Sequence, residues 1–207
     1  MDADHVEIRV LGCLIEKQRT TPDTYPLSLN SLRLACNQAT NREPVVEYDE
    51  HLIHDALHRL HHRGWARLTS GAGSRTVKYR HLLDGALGLD EAGLSLLAVL
   101  MLRGPQTPGE LKQRTERLHA FDTLADIETT LAGLIERELA VRLPRRPGQK
   151  EERYAQLLGG EPDDPAALSA GHGERPAGPG AETLADRVTR LEAEVAALRA
   201  AFDELGL

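Results

Sequence analysis

The chain has 207 residues, a formal net charge of −7 at neutral pH, 28% charged residues and 3% aromatics. No run of about eighteen apolar residues occurs, which argues against a transmembrane helix, and the acidic start Met1-Asp2-Ala3-Asp4 lacks the apolar stretch of a secretory signal. Seven aromatics argue against a binder that stacks single-stranded bases, and two cysteines outside any C-x-x-C pattern, Cys13 and Cys36, argue against a disulfide framework and for a reducing, cytoplasmic setting.

In chain order, Val6 to Gln18 reads as a helix with Val10, Leu11, Leu14 and Ile15 on one face. Pro22 and Pro26 punctuate a loop, and Ser28 to Gln38 reads as a second helix. Tyr25-Pro26-Leu27-Ser28 is expected to be structural: a ring against the core, a restricted turn, then a helix cap. Pro44 to Glu47 reads as a short extended segment. Asp49 is the expected cap of a third helix running to about Arg63, with Gly64 ending it. Strands are expected over Trp65–Thr69 and Arg75–His81, around the turn Ser70-Gly71-Ala72-Gly73-Ser74.

The same order then returns. Asp90 caps a helix to about Leu102, and Thr107-Pro108-Gly109-Glu110 is a capping box with proline at the first helical position. Asp122 is the expected cap of a further helix to about Arg137. Strands follow at Leu139–Leu143 and Glu152–Leu157, around a Pro- and Arg-rich turn. A shift of 74 places Ile53, Leu57, Leu60, Arg63 and Ala66 on Ile127, Leu131, Leu134, Arg137 and Ala140. One further inserted residue places Lys78-Tyr79 on Arg153-Tyr154 and Leu82-Leu83 on Leu157-Leu158. Self-similarity at this period means two copies of one small unit. Three helices and a terminal hairpin form the winged-helix arrangement. The expected fold is therefore mainly α with small β-hairpins (α+β), with tandem winged-helix domains over 5–83 and 84–158.

Beyond them, ten of the 23 residues from Gly159 to Ala181 are Gly or Pro, a composition expected to give a disordered linker. Leu184, Val188, Leu191, Val195, Leu198, Phe202 and Leu205 then recur at spacings of 4 and 3, a heptad seam over 182–205. Valine at a with leucine at d favours two strands. Arg187 with Glu192, and Glu194 with Arg199, give opposite charges at the g and e positions of a parallel homodimer. The alternative is a helix packed on its own body.

A long polar run stands out in the first copy: Leu14 to Gln18, Thr20 to Asn30, Ala35 to Gln38 and Asn41 to Val45. This run resembles the YceH family of bacterial proteins, a group with no assigned biochemical role, over about residues 5–158. The resemblance implies two tandem winged-helix domains and a bacterial cytoplasmic origin; it supplies no reaction and no established ligand.

Four features are candidates for function. The first is the pair of hairpins. Residues 63–82 hold Arg63, Arg67, Arg75, Lys78 and Arg80 and no acid; residues 139–150 hold Arg142, Arg145, Arg146 and Lys150 and no acid. Basic hairpins suit phosphate contacts, although solvated hairpins of Arg-rich chains look the same. The second is the third helix, the one positioned for a major groove. It opens on Glu50 and His51 with Asp55 one turn on, whereas its counterpart opens on Asp122, Asp126 and Glu128, which disfavours groove insertion there.

The third is a histidine stripe on that helix: His51, His54, His58, His61 and His62, pointing away from Ile53, Ala56, Leu57 and Leu60. A plain solvent face, a pH-dependent contact and a metal shared by His54 and His58 are all open. The fourth is the polar set Lys17, Gln18, Thr20, Thr21, Asn30, Asn37, Gln38, Asn41 and Arg42, which either locks the interhelical loops or forms a recognition patch. Cys13 and Cys36 read as buried small hydrophobes.

No nucleotide-binding, zinc-protease or nucleophile-elbow motif is present, so a non-enzymatic role with no cofactor and no metal is expected. The leading expectation is a duplex-DNA-binding, transcription-regulator-like protein; the rival is an adaptor with an unknown protein partner. The net charge does not oppose the first, because residues 5–82 carry eleven Lys/Arg against eight Asp/Glu, while residues 158–207 carry four against ten.

Overall fold

The computed structural model describes residues 3–69, 77–145 and 151–160. Linker residues 161–181, the heptad residues Leu184 to Leu205, and hairpin residues 70–76 (Arg75 among them) and 146–150 lie outside the described residues.

The chain opens on α1 (His5–Thr20), two residues longer at its C-terminal end than its apolar spacing predicts. Its start is fixed by Asp4, whose carboxylate accepts from the Val6 and Glu7 amides while Glu7 returns a bond to the Asp4 amide. A 3-10 turn, Pro22–Thr24, and a cis Tyr25–Pro26 bond lead into β1 (Leu27–Ser28). Ser28 then caps α2 (Leu29–Cys36) through the Ser31 amide. This helix stops short of Gln38, because Asn37 turns its side chain to the 45–49 segment. The segment after Pro44, expected to be extended, joins no ladder. Asp49 caps α3 (Glu50–His62), and Gly64, at a positive φ of 72°, ends it as expected.

β2 (Ala66–Thr69) and β3 (Lys78–His81) form an antiparallel hairpin, and β1 adds to the far side of β3, giving the order β1-β3-β2. The sequence reading missed β1. A two-residue strand has no periodicity, and its partner Tyr79 lies 52 positions away. It also missed α4 (Leu83–Leu87), a single short turn of helix.

In the second copy, Asp90 caps α5 (Glu91–Arg103), and Thr107 and Glu110 make the expected capping box of α6 (Pro108–Thr115). The cap of α7 (Leu124–Glu136) corrects the sequence reading by one position. Thr123, not Asp122, takes the Asp126 amide, and the Asp126 carboxylate accepts from the Thr123 amide and hydroxyl. Asp122 contributes only its carbonyl, which accepts from Lys112 Nζ at 2.7 Å. β4 (Ala140–Leu143) and β5 (Arg153–Gln156) close the hairpin.

One strand pairing has a counterpart in each half of the body. In the first copy Leu27, just before α2, pairs with Tyr79; in the second Gln106, just before α6, bridges Tyr154. Residues 1–162 form one compact unit, and α1 and α5, the first helices of the two copies, make its most extensive helix contact. Leu11, Leu14, Ile15, Leu96, Leu97 and Leu100 are all buried in one apolar cluster that runs through both copies. The close approach rests on Gly12. A Cβ there would lie 2.9 Å from the Leu102 side chain and 3.1 Å from that of Met101.

Candidate functional site

The β2–β3 register decides which hairpin side chains share a face. Ala66 opposes His81, Leu68 opposes Tyr79, Arg67 opposes Arg80 and Thr69 opposes Lys78. Side chains alternate along a strand. Ala66, Tyr79 and His81 are buried, so Arg67, Thr69, Lys78 and Arg80 stand on the other face. Ser28, opposite Lys78 in β1, joins them. Among the described residues this face holds three cations and no carboxylate. Neither Arg67, Lys78 nor Arg80 makes an ion pair there, and Arg80 Nε is buried without an acceptor.

Arg63 lies on the loop before β2, apart from this face, and has partners of its own. Its Nε lies 3.3 Å from the buried Glu7 carboxylate, and its guanidinium covers the Trp65 ring at 5.7 Å. Glu7 is 56 positions away and also faces Arg59 at 3.6 Å, so Arg63 is part of an internal charge cluster. The cations of the second hairpin are partly neutralised. Arg142 pairs with Glu152 at 3.3 Å, and Arg153 donates to Glu110 at 2.9 Å and to the Pro105 carbonyl.

On α3 the histidine stripe does face solvent, with His54 half-buried and the other four exposed. His51 lies 3.1 Å from Asp55, and Glu50 lies 3.7 Å from Arg33, so both acids near the helix start have a cation or histidine beside them. His54 and His58 meet edge to face with ring centres 4.5 Å apart. Among the described residues no group of three His, Cys, Asp or Glu is placed to hold a metal ion.

In the polar set Arg42 is buried, Thr21, Asn30 and Asn41 are exposed, and the rest are half-buried. The Arg42 guanidinium donates to both Glu16 carboxylate oxygens (3.1 and 2.6 Å), to Gln38 Oε1 and to the Ala35 and Asn41 carbonyls. Burial alone would raise the Glu16 pKa, but Arg42 and Lys17 hold it below the usual carboxylate range. Asn37 exchanges two hydrogen bonds with the Tyr48 backbone, and Asn41, at a φ of +62°, accepts from Arg103. Thr20 and Thr21 bond back to the Glu16 and Lys17 carbonyls, and Asn30 accepts from Arg33. Gln18 Oε1 contacts His81 Nε2 at 2.5 Å. These bonds fix the loops that carry α2 and α3.

Two groups that the sequence reading passed over, His81 and Arg9, lie in this network, and the two cysteines beside it are buried as expected. His81 is buried and accepts from the Leu83 amide at Nδ1, which leaves Nε2 as the donor to Gln18. Burial pushes its pKa down to about 4, with Asp84 opposing and Arg80 and Arg19 adding to the shift. Buried Arg9 donates to the Cys36 and Pro44 carbonyls. Cys13 and Cys36 are both fully buried, and a hydrogen bond between them, with burial, pushes the Cys36 thiol well above its ordinary range. A marker existed for Glu16, a charged residue directly after the apolar helical positions Leu14 and Ile15.

A family described as "Protein of unknown function, DUF480" matches residues 3–149. The chain belongs to the DUF480 family. Relatives of this DUF480 chain share most of its length. It is 50% identical over 202 residues to a UPF0502 protein of Geotalea uraniireducens, covering 97% of this chain and 91% of that protein. A UPF0502 protein of Solibacter usitatus is 45% identical over 206 residues, with 97% and 95% covered. One from Geotalea daltonii is 53% identical over 168 residues, with 80% and 77% covered. Among the described residues, no helix of the DUF480 chain is long and apolar enough to cross a membrane.

Proposed function

We propose that this DUF480 protein binds duplex DNA as a cytoplasmic, non-enzymatic, transcription-regulator-like protein. Residues 5–83 serve as a winged-helix domain of the kind the YceH resemblance implies. The observation that carries this reading is the outer face of the β2–β3 hairpin. Arg67, Lys78 and Arg80 stand there together without a carboxylate. Such a face exchanges its counterions for phosphates, so its affinity falls steeply with salt. On α3, Glu50 and Asp55 sit beside Arg33 and His51, which reduces their repulsion toward a nearby phosphate. Residues 84–158, with their paired hairpin arginines and acidic α7 start, serve packing or protein contact. The heptad residues Leu184 to Leu205 join two copies in a parallel coiled coil.

The test is a titration of the full chain with mixed genomic duplexes at two salt concentrations. Binding near micromolar protein at low salt is expected. The R67A/K78A/R80A variant is expected to lose most of it and to lower the logarithmic salt slope by about two to three. Absence of binding at low salt overturns the reading. It would favour the adaptor reading, which has its own support in three exposed apolar side chains: Leu34, Val45 and Leu52.

A further inference from the structure

Two adjoining clefts, of about 380 and 420 Å³, open where the 41–43 loop meets α5 and α6, and both are lined by Asn41, Arg103 and Arg114. Each has the size of a small-ligand site. The first is built on the apolar side chains of Val99, Leu102 and Leu118, and Arg103, Arg114 and Arg117 also line it. Arg42 and Arg153 line the second.

Five arginines therefore line this space, the Arg42 side chain being buried against Glu16, and three carboxylates line it with them: Glu16, Glu43 and Glu110. Two of the three are already committed. Glu16 is held by Arg42 at 2.6 Å and Lys17 at 3.2 Å, and Glu110 by Arg153 at 2.9 Å, with Arg114 further off at 3.7 Å. Glu43 is exposed and lines the second cleft only. Arg103 donates to the neutral amide oxygen of Asn41, and among the described residues neither Arg103 nor Arg117 makes an ion pair. Burial together with Arg114 and Arg42 holds the Arg103 pKa below its ordinary value, with Glu16 and Glu110 opposing weakly. A guanidinium crowded by like charges is one that an incoming anion relieves. Its planar fork matches the oxygens of a phosphate or a carboxylate.

We propose that this cleft binds a small organic dianion, a phosphomonoester or dicarboxylate on an apolar body. In this assignment Arg103, Arg114 and Arg117 hold the charged group, and the body rests on Val99, Leu102 and Leu118. The site goes beyond the DNA reading and does not depend on it. It gives the chain a place to sense a metabolite of that chemistry.

Phenyl phosphate, phthalate, inorganic phosphate and neutral benzyl alcohol, each added to the full chain at matched ionic strength, test the assignment by calorimetric titration and melting temperature. Phenyl phosphate or phthalate is expected to bind and raise the melting temperature, inorganic phosphate to bind more weakly and benzyl alcohol not to bind. Which of the two dianions binds tighter identifies the headgroup. Arg117 is exposed and makes no ion pair among the described residues, so R117Q leaves the fold intact; it is expected to weaken binding about tenfold, and R103Q/R117Q to abolish it. R67Q/R80Q is expected to leave it unchanged. No binding by either dianion, or binding that survives R103Q/R117Q in a folded protein, overturns the proposal. So does equal binding of benzyl alcohol. If R103Q/R117Q weakens duplex binding while the dianions have no effect on the wild-type chain, the clefts belong to a nucleic-acid face and the proposal fails.

Discussion

Arg67 and Arg80 are direct partners across the β2–β3 ladder, both on the face turned from the core, and no described carboxylate pairs with either. Like charges in opposed positions cost a sheet stability. Arg67→Thr is therefore expected to stabilise the free protein, by about 0.2–1 kcal/mol in urea unfolding, while weakening its binding to duplex DNA. A loss of stability on the same substitution would mean that Arg67 is held by packing and that its charge is incidental.

The Arg42–Glu16 pair should behave in the opposite way. Arg42 is buried and directs its guanidinium to the helix-end carbonyl of Ala35, the loop carbonyl of Asn41 and one carboxylate. Glu16→Gln leaves that charge without its counterion, and a loss of about 3 kcal/mol is expected. Replacing both partners, as in R42M/E16L, should cost less than the sum of the single changes. Chemical denaturation of the four proteins measures the coupling; additive losses would show that the pair is not a unit.

His81 gives the fold a predictable acid limb. In the unfolded chain its imidazole takes a proton near pH 6.5, whereas burial in the fold delays uptake to about pH 4. Between these values the unfolded chain holds more protons, so stability falls as the pH falls, by up to about 3 kcal/mol in all. Asp4, Glu16 and Glu110, whose pKa values are held low by amide and arginine partners against burial, add further loss below about pH 4. Unfolding midpoints between pH 7.5 and 4 are the measurement. His81→Gln, which keeps a polar side chain beside Gln18, should flatten the decline between pH 6.5 and 4.5. A decline unchanged in that variant assigns it to other groups.

Gly12→Ala is expected to destabilise the protein by about 1–3 kcal/mol, since its new Cβ would meet Leu102 and Met101 across the α1–α5 contact. Adding Leu102→Ala opens space for that methyl, so the double variant should lose less than the two single losses combined. Thermal melts of the three variants test this; additive losses would place the cost of Gly12→Ala in α1 itself.

The elements that were legible in the sequence are those whose causes lie within a few residues. Asp49, Asp90 and Thr107 cap helices through amides three positions on, and Gly64 ends α3 locally. The cationic hairpin face was legible for the same reason, because residues 63–82 contain no acid. What was not legible depended on distant partners. Arg63 looked like its neighbours until Glu7, from α1, came to lie beside it. Arg42 stands in a polar loop whose residues read either as a loop lock or as a recognition patch, and only the fold brings Glu16 to it. Asn41, Arg103 and Arg114 carry no shared motif, since their association requires α5 to pack behind the loop. The cap at Thr123 was misplaced by one residue because Asp122 and Thr123 are equally good caps, and the side chain of Asp126 selects the second.

The seam between α1 and α5 also bears on how the chain comes apart. Tandem repeats with separate cores melt one after the other, each with its own enthalpy. Here the leading helices of both copies share one apolar cluster, and a missing side chain at Gly12 lets them touch. Opening either copy would uncover the other, so the body should behave as a single cooperative unit with one calorimetric transition, and neither copy excised alone would retain half of the stability.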